Sequence, residues 1–202
     1  MKKFALAIAM VAVIAFFASS RWSTRAVDAP ADNTVQAGET TLAAALSLDN
    51  MIDQSDVIAI GNCVDSRSVW VDRALVTLAT ISVSESLKGD QSSTITVALP
   101  GGVDMNRKFP VAMSYPGAPR IIPGENVLLF LTNTGEVGGS YNVAGFSQGK
   151  FSIITGEDGV PMVSRDLTKM SLQDNNGVGR GGRNMLPLST LKDEIKGRLQ
   201  KQ

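Results

Sequence analysis

No histidine occurs in the 202 residues. That absence removes Ser-His-Asp and Cys-His nucleophile activation, and every zinc site built on imidazole. A single cysteine, Cys63, excludes an intrachain disulfide and a thiolate zinc centre. Aromatic residues make up only 5% of the chain, and lysines plus arginines balance aspartates plus glutamates at 19 each. The longest apolar run, Phe4 to Ala18, falls short of the ~20 residues that span a bilayer. No cofactor or metal site, and no catalytic set, is expected from the motifs present.

What is there begins with Lys2 and Lys3 ahead of that apolar run, the charged and hydrophobic regions of a secretory signal. Residues 1–26 are therefore read as a signal peptide, with cleavage near Ala26 or Ser20. No clean A-x-A motif follows, so an uncleaved N-terminal membrane anchor is the alternative, and the membrane is touched only in that case. The expected location is extracytoplasmic, periplasmic or secreted. A cut after Ala26 leaves 15 bases against 19 acids, a balance that argues against nucleic acid, which requires a basic stripe. In an exported chain Cys63, set in an apolar run, reads as a small buried side chain.

Periodicity divides the remainder. Residues 27–46 are polar and read as a flexible spacer, followed by a β domain over 47–164. Leu48, Met51 and Ile52 share a helical face behind Ser47, a candidate N-cap, with Asp49 in the first turn. Three strands follow from Ser55 to Gly102. Leu75, Ala79, Ile81, Val83 and Leu87 lie on one parity of the second, and Ile95, Val97 and Leu99 on one parity of the third. Asp65 to Asp72 is expected to be a connection. Prolines 110, 116, 119 and 123 make the next stretch irregular, with a short edge strand over Val111 to Tyr115. Val127 to Leu131 is apolar on both parities and reads as a central strand. Phe151 and Ile153 pair with Val160 to Val163 in a hairpin. The pattern then stops, and 165–186, rich in glycine and asparagine, reads as a mobile loop. Leu188, Leu191, Ile195 and Leu199 line a C-terminal helix over 187–202, begun by Pro187 with a Ser189 or Thr190 cap.

The sum is a mostly β fold, an OB-like small barrel of five or more antiparallel strands with a helix at each end. Candidate chemistry is sparse. Asp174, Asn176 and Gly177 lack the later acidic ligand of a calcium loop, and Gly177 to Gly182 lacks the strand and the Lys-Ser/Thr of a phosphate loop. Ser147 with Lys150 is the nearest approach to a Ser-Lys pair, in what reads as a tight turn. Residues 164–202 carry eight bases against four acids, a solvated helix face and loop or a patch for anionic polymer or lipid. Trp70, Phe109 and Tyr115 are the loop aromatics, and so the candidate partner-binding residues or lids over a barrel end.

The order of a helix, SDVIAIGNCV, a strand ending SESLKGD, TITVALPGG, PGAPRIIPGENVLLFL and YNVAGFSQGKFSI resembles a family of uncharacterised exported bacterial proteins. More remotely, DVIAIGNCV, LKGD and PGENVLLFL are similar to the netrin-like module of tissue inhibitors of metalloproteases. That resemblance covers about Ser47 to Ile154 and implies an OB-type barrel. It does not imply the inhibitory mechanism, because the disulfide-held N-terminal cysteine of those inhibitors has no counterpart here. The expectation is an exported binding module whose partner is another extracytoplasmic protein. A hydrolase using Ser/Lys or carboxylates, and a structural envelope component, are the alternatives.

Overall fold

The computed structural model describes residues 40–89, 92–133 and 137–201; the expected signal segment and most of the spacer lie outside them. The fold is mostly β, with one helix near each end of the described chain. In chain order its elements are β1 (Thr41–Ala44), α1 (Leu48–Gln54), β2 (Val57–Val71), β3 (Ala74–Lys88), β4 (Thr94–Pro100), β5 (Gly102–Asp104), β6 (Val111–Met113) and β7 (Asn126–Thr132). They continue with β8 (Tyr141–Val143), β9 (Lys150–Thr155), β10 (Pro161–Asp166), β11 (Met170–Asp174), β12 (Gly177–Arg180), β13 (Arg183–Pro187) and α2 (Leu188–Leu199).

The main sheet runs β13-β10-β9-β7-β2-β3-β4-β8, and β8 also pairs with β7. The strands β7, β2, β3, β4 and β8 thereby form a partly closed ring, with β9, β10 and β13 extending from it. Antiparallel pairing dominates, but β4–β8 and β1–β11 are parallel, against the all-antiparallel expectation.

Two cores follow from strands that are apolar on both parities. Val57, Ala59 and Cys63 of β2 and Val127, Leu129 and Leu131 of β7 pack with Ala79, Ile81, Val97 and Leu99 on the ring side. Ile58, Ile60, Leu128 and Phe130 point the other way, against Met51 and Ile52 of α1 and Leu191 and Ile195 of α2. As expected, β7 is central and covered on both faces. Ser47 caps α1 by accepting from Asn50 N–H at 3.1 Å. The stripe of α2 docks as its spacing suggests, although Pro187 is its N-cap and no side chain caps it.

Bulges explain where parity misleads. The β2–β3 register shifts at three places, and the shift beside Gly61 passes over Ser84. Each bulge inserts a residue and so exchanges the faces beyond it. Leu87, on the same parity as Ile81, accordingly packs with the helices and not inside the ring. Gly61 belongs to this irregularity: a Cβ there would strike Ser82 O and the Ile81 side chain.

Three expectations are corrected. Asp65 to Asp72 is not a connection but the outer half of β2, which continues to Val71 and turns at Asp72, whose φ is 52°. Thr41 to Ala44, assigned to the spacer, is β1 and pairs with β11. Residues 165–186 hold the end of β10, β11, β12 and most of β13 where a mobile loop is expected. Their apolar groups are few but placed: Leu167 and Met170 are buried, and Gly181 abuts the Leu167 carbonyl where any Cβ would clash.

Candidate functional site

Past Asn62 β2 leaves β7 and continues as an arm laddered to β3, and the β5–β6 hairpin lies along it. Ser68 Oγ accepts from Val103 N–H at 2.9 Å, and Thr77 Oγ1 donates to the Gly101 carbonyl at 2.8 Å. Trp70 Nε1 donates to Asp104 Oδ2 at 2.7 Å, and Arg107 stacks over the indole at 4.4 Å while its Nε donates to the same carboxylate. These contacts, the Trp70 bond foremost, hold the Asp104 carboxyl below the usual range. Trp70 is half-buried and fastens the hairpin to the arm. Phe109, at the hairpin's tip, is 75% exposed, and Met105 beside it is 69% exposed. Of the three candidate aromatics, Trp70 and Phe109 thus belong to one hairpin and its arm, whereas Tyr115 lies beyond β6.

Tyr115 stands on a strap, residues 114–122, that follows β6. Pro119 and Ile121 are buried, which pins the strap at its far end. Gly117, at φ 69°, lies so close to the Lys169 carbonyl and Met170 that a Cβ would meet both at 2.8 Å. Thr41 Oγ1 donates to the Pro116 carbonyl at 2.5 Å, so β1 helps to seat the strap. Tyr115 and Pro119 line three adjoining cavities of about 780, 360 and 330 Å³. The smallest is largely apolar and includes Phe146, held at φ 69°, a conformation that side chains of its size rarely adopt.

The largest cavity is a groove between the strap and the extension of the sheet. Its floor comes from β9 and β10, where Lys150, Ser152 and Ser164 face the groove while Phe151 and Val163 pack toward the helices. Arg120 on the strap, and Thr168, Lys169 and Arg180 opposite, form its walls. Within it Lys150 Nζ reaches Glu125 Oε1 at 2.5 Å and Ser152 Oγ at 2.6 Å, and Ser152 Oγ lies 2.7 Å from Glu125 Oε1. Asp166 accepts from Thr168 and from Arg183, and both hold its carboxyl far below the usual range. Ser147 and Lys150 line the same groove and share a backbone bond, but their side chains are not partnered: Ser147 Oγ is bonded to Met170 Sδ. Lys150 Nζ is instead ion-paired to Glu125 Oε1.

Cys63 is buried in the ring core, its Sγ 3.3 Å from the Asp65 carbonyl, and burial pushes its thiol pKa up. Among the described residues no cluster of three or more potential ligands could hold a metal ion. No helix among them is long and apolar enough to cross a membrane.

As a group the groove cations were not legible in the sequence: Lys150 stood out only beside Ser147, and Lys169 and Arg180 only within the basic surplus of 164–202. Lys150 and Ser152 had a signal, the polar parity beside Phe151 and Ile153. Nothing local in the sequence joins Arg120 to Arg180, since they meet only through the strap and the small β1-β11-β12 sheet. No family model matches this chain, and no curated protein matches it.

Proposed function

We propose that the chain is an exported, non-catalytic binding module that meets another extracytoplasmic protein through the β5–β6 hairpin and the strap. One observation carries the reading: a hairpin fastened at Trp70 holds Phe109 and Met105 out in water at a fixed place, with Tyr115 45% exposed beyond it. Exposed apolar side chains on a fixed mount are what an interface anchor requires, because little ordering entropy is left to lose on binding. The charged start and the Phe4 to Ala18 run support export. The partly closed five-strand ring supports the OB-like barrel reading. A hydrolase reading draws support only from Ser152 between Glu125 and Lys150.

The test is capture of envelope proteins on the immobilised chain, compared with Phe109→Ser and with Met105→Ser. A stoichiometric partner retained by the wild type and lost by both variants, at unchanged melting temperature, supports the module. A partner retained equally by all three removes the hairpin from the interface, and turnover of a captured component would turn the reading toward the hydrolase.

A further inference from the structure

The groove beneath the strap has more positive charge than it neutralises. Its two nearby carboxylates are already satisfied, Glu125 by Lys150 and Asp166 by Arg183. Arg120, Lys169 and Arg180 remain, all exposed, and none has an ion-pair partner among the described residues. Among the described residues, the one side-chain bond from the three runs from Arg180 Nε to the Thr168 carbonyl at 3.4 Å. Like charges around one cleft raise its potential and attract an anion.

The rest of the lining narrows the class. The Ser164 hydroxyl lies on the floor beside Ser152, whose Oγ already bonds Glu125 and Lys150, and the Tyr115 ring stands half exposed at the rim. Hydroxyls match a sugar's own hydroxyls as donors and acceptors, and an aromatic face suits the apolar C–H face of a pyranose. The volume of about 780 Å³ lies within the range of about 300–1,000 Å³ common to small-molecule sites. We infer that this groove binds an anionic oligosaccharide whose units carry carboxylate or sulfate groups. The forks of Arg120 and Arg180 suit bidentate capture of such groups, and Lys169 adds a point charge. The site takes in part of the basic surplus of residues 164–202. It shares the strap and Tyr115 with the protein-partner reading, but Trp70, Met105 and Phe109 have no part in it.

The test is calorimetric titration of the purified full chain with polygalacturonate, dextran sulfate, uncharged dextran and polyglutamate. Binding of at least one charged glycan is expected, with none of dextran and markedly weaker binding of polyglutamate. Arg120→Gln, Lys169→Gln and Arg180→Gln should each weaken the glycan by about twofold to fivefold, the range of exposed ion pairs, without moving the melting temperature. Lys201→Gln, outside the groove, should change nothing, and Tyr115→Leu should erase the preference over polyglutamate. Failure to bind either charged glycan overturns the inference. So does polyglutamate binding as tightly as the glycan, or an equal loss on Lys201→Gln.

Discussion

At the scale of single residues, Cys63 is the clearest case of a side chain whose environment decides its chemistry. It is fully buried among Val57, Ala79, Ile81 and Val127, and desolvation disfavours the thiolate. Bulky maleimide should therefore fail to label the native chain and label it fully in denaturant; rapid native labelling would contradict the packing. Cys63→Ser should cost about 1 kcal/mol, the low end for a buried hydroxyl, because the Asp65 carbonyl is placed to accept from it. This burial was legible in the sequence, as an apolar run around one small residue. The role of Trp70 was legible only as a candidate loop aromatic between Asp65 and Asp72. Its bond to Asp104 joins residues 34 apart, and no local pattern encodes such a pair.

At the scale of elements, what periodicity could show was α1, α2, the doubly buried β7 and the β9–β10 hairpin. Each buries a regular face, so its period is written in adjacent residues. Legibility failed where burial is shared out thinly. In β11 to β13 only Met170 is buried, and polar and glycine positions are held by backbone ladders to β1 and β10. Ladder bonds leave no trace in side-chain hydropathy. In the outer half of β2, Asp65 to Ser68 interrupt the apolar pattern although the ladder with β3 continues through them. The strap illustrates the same limit, being placed by prolines and by a left-handed glycine that accepts no Cβ. Gly117→Ala should destabilise the chain by about 1–3 kcal/mol, through backbone strain and contact with Lys169 and Met170. Hydrogen exchange should show the loss concentrated at residues 114–122, whereas an unchanged melting curve would place the strap free of the small sheet.

For the whole molecule, the helices close the outer core, and one carboxylate ties α2 to the sheet. Glu85 on β3 receives Lys192 at 2.5 Å and Lys196 at 3.2 Å, and the Lys192 bond is the chief reason its carboxyl lies below the usual range. A carboxyl depressed in the folded state adds stability above its unfolded pKa of about 4.3, and the gain fades as pH falls through the folded value. Wild-type chain should therefore lose stability below about pH 4 more steeply than Glu85→Gln, as read by urea midpoints at pH 6 and pH 3. Parallel slopes would mean that the pair contributes nothing. The groove was the least legible feature at this scale, since its residues come from the strap, β9, β10 and β12, brought together only by the completed topology.

The central claim, a binding module working through one fixed face, is tested most directly by hydrogen exchange of the chain with and without its captured partner. Added protection is predicted at 102–122, covering the β5–β6 hairpin and the strap, with the helices α1 and α2 unchanged. Protection confined to the helices, or spread over the ring strands without the hairpin, would contradict it.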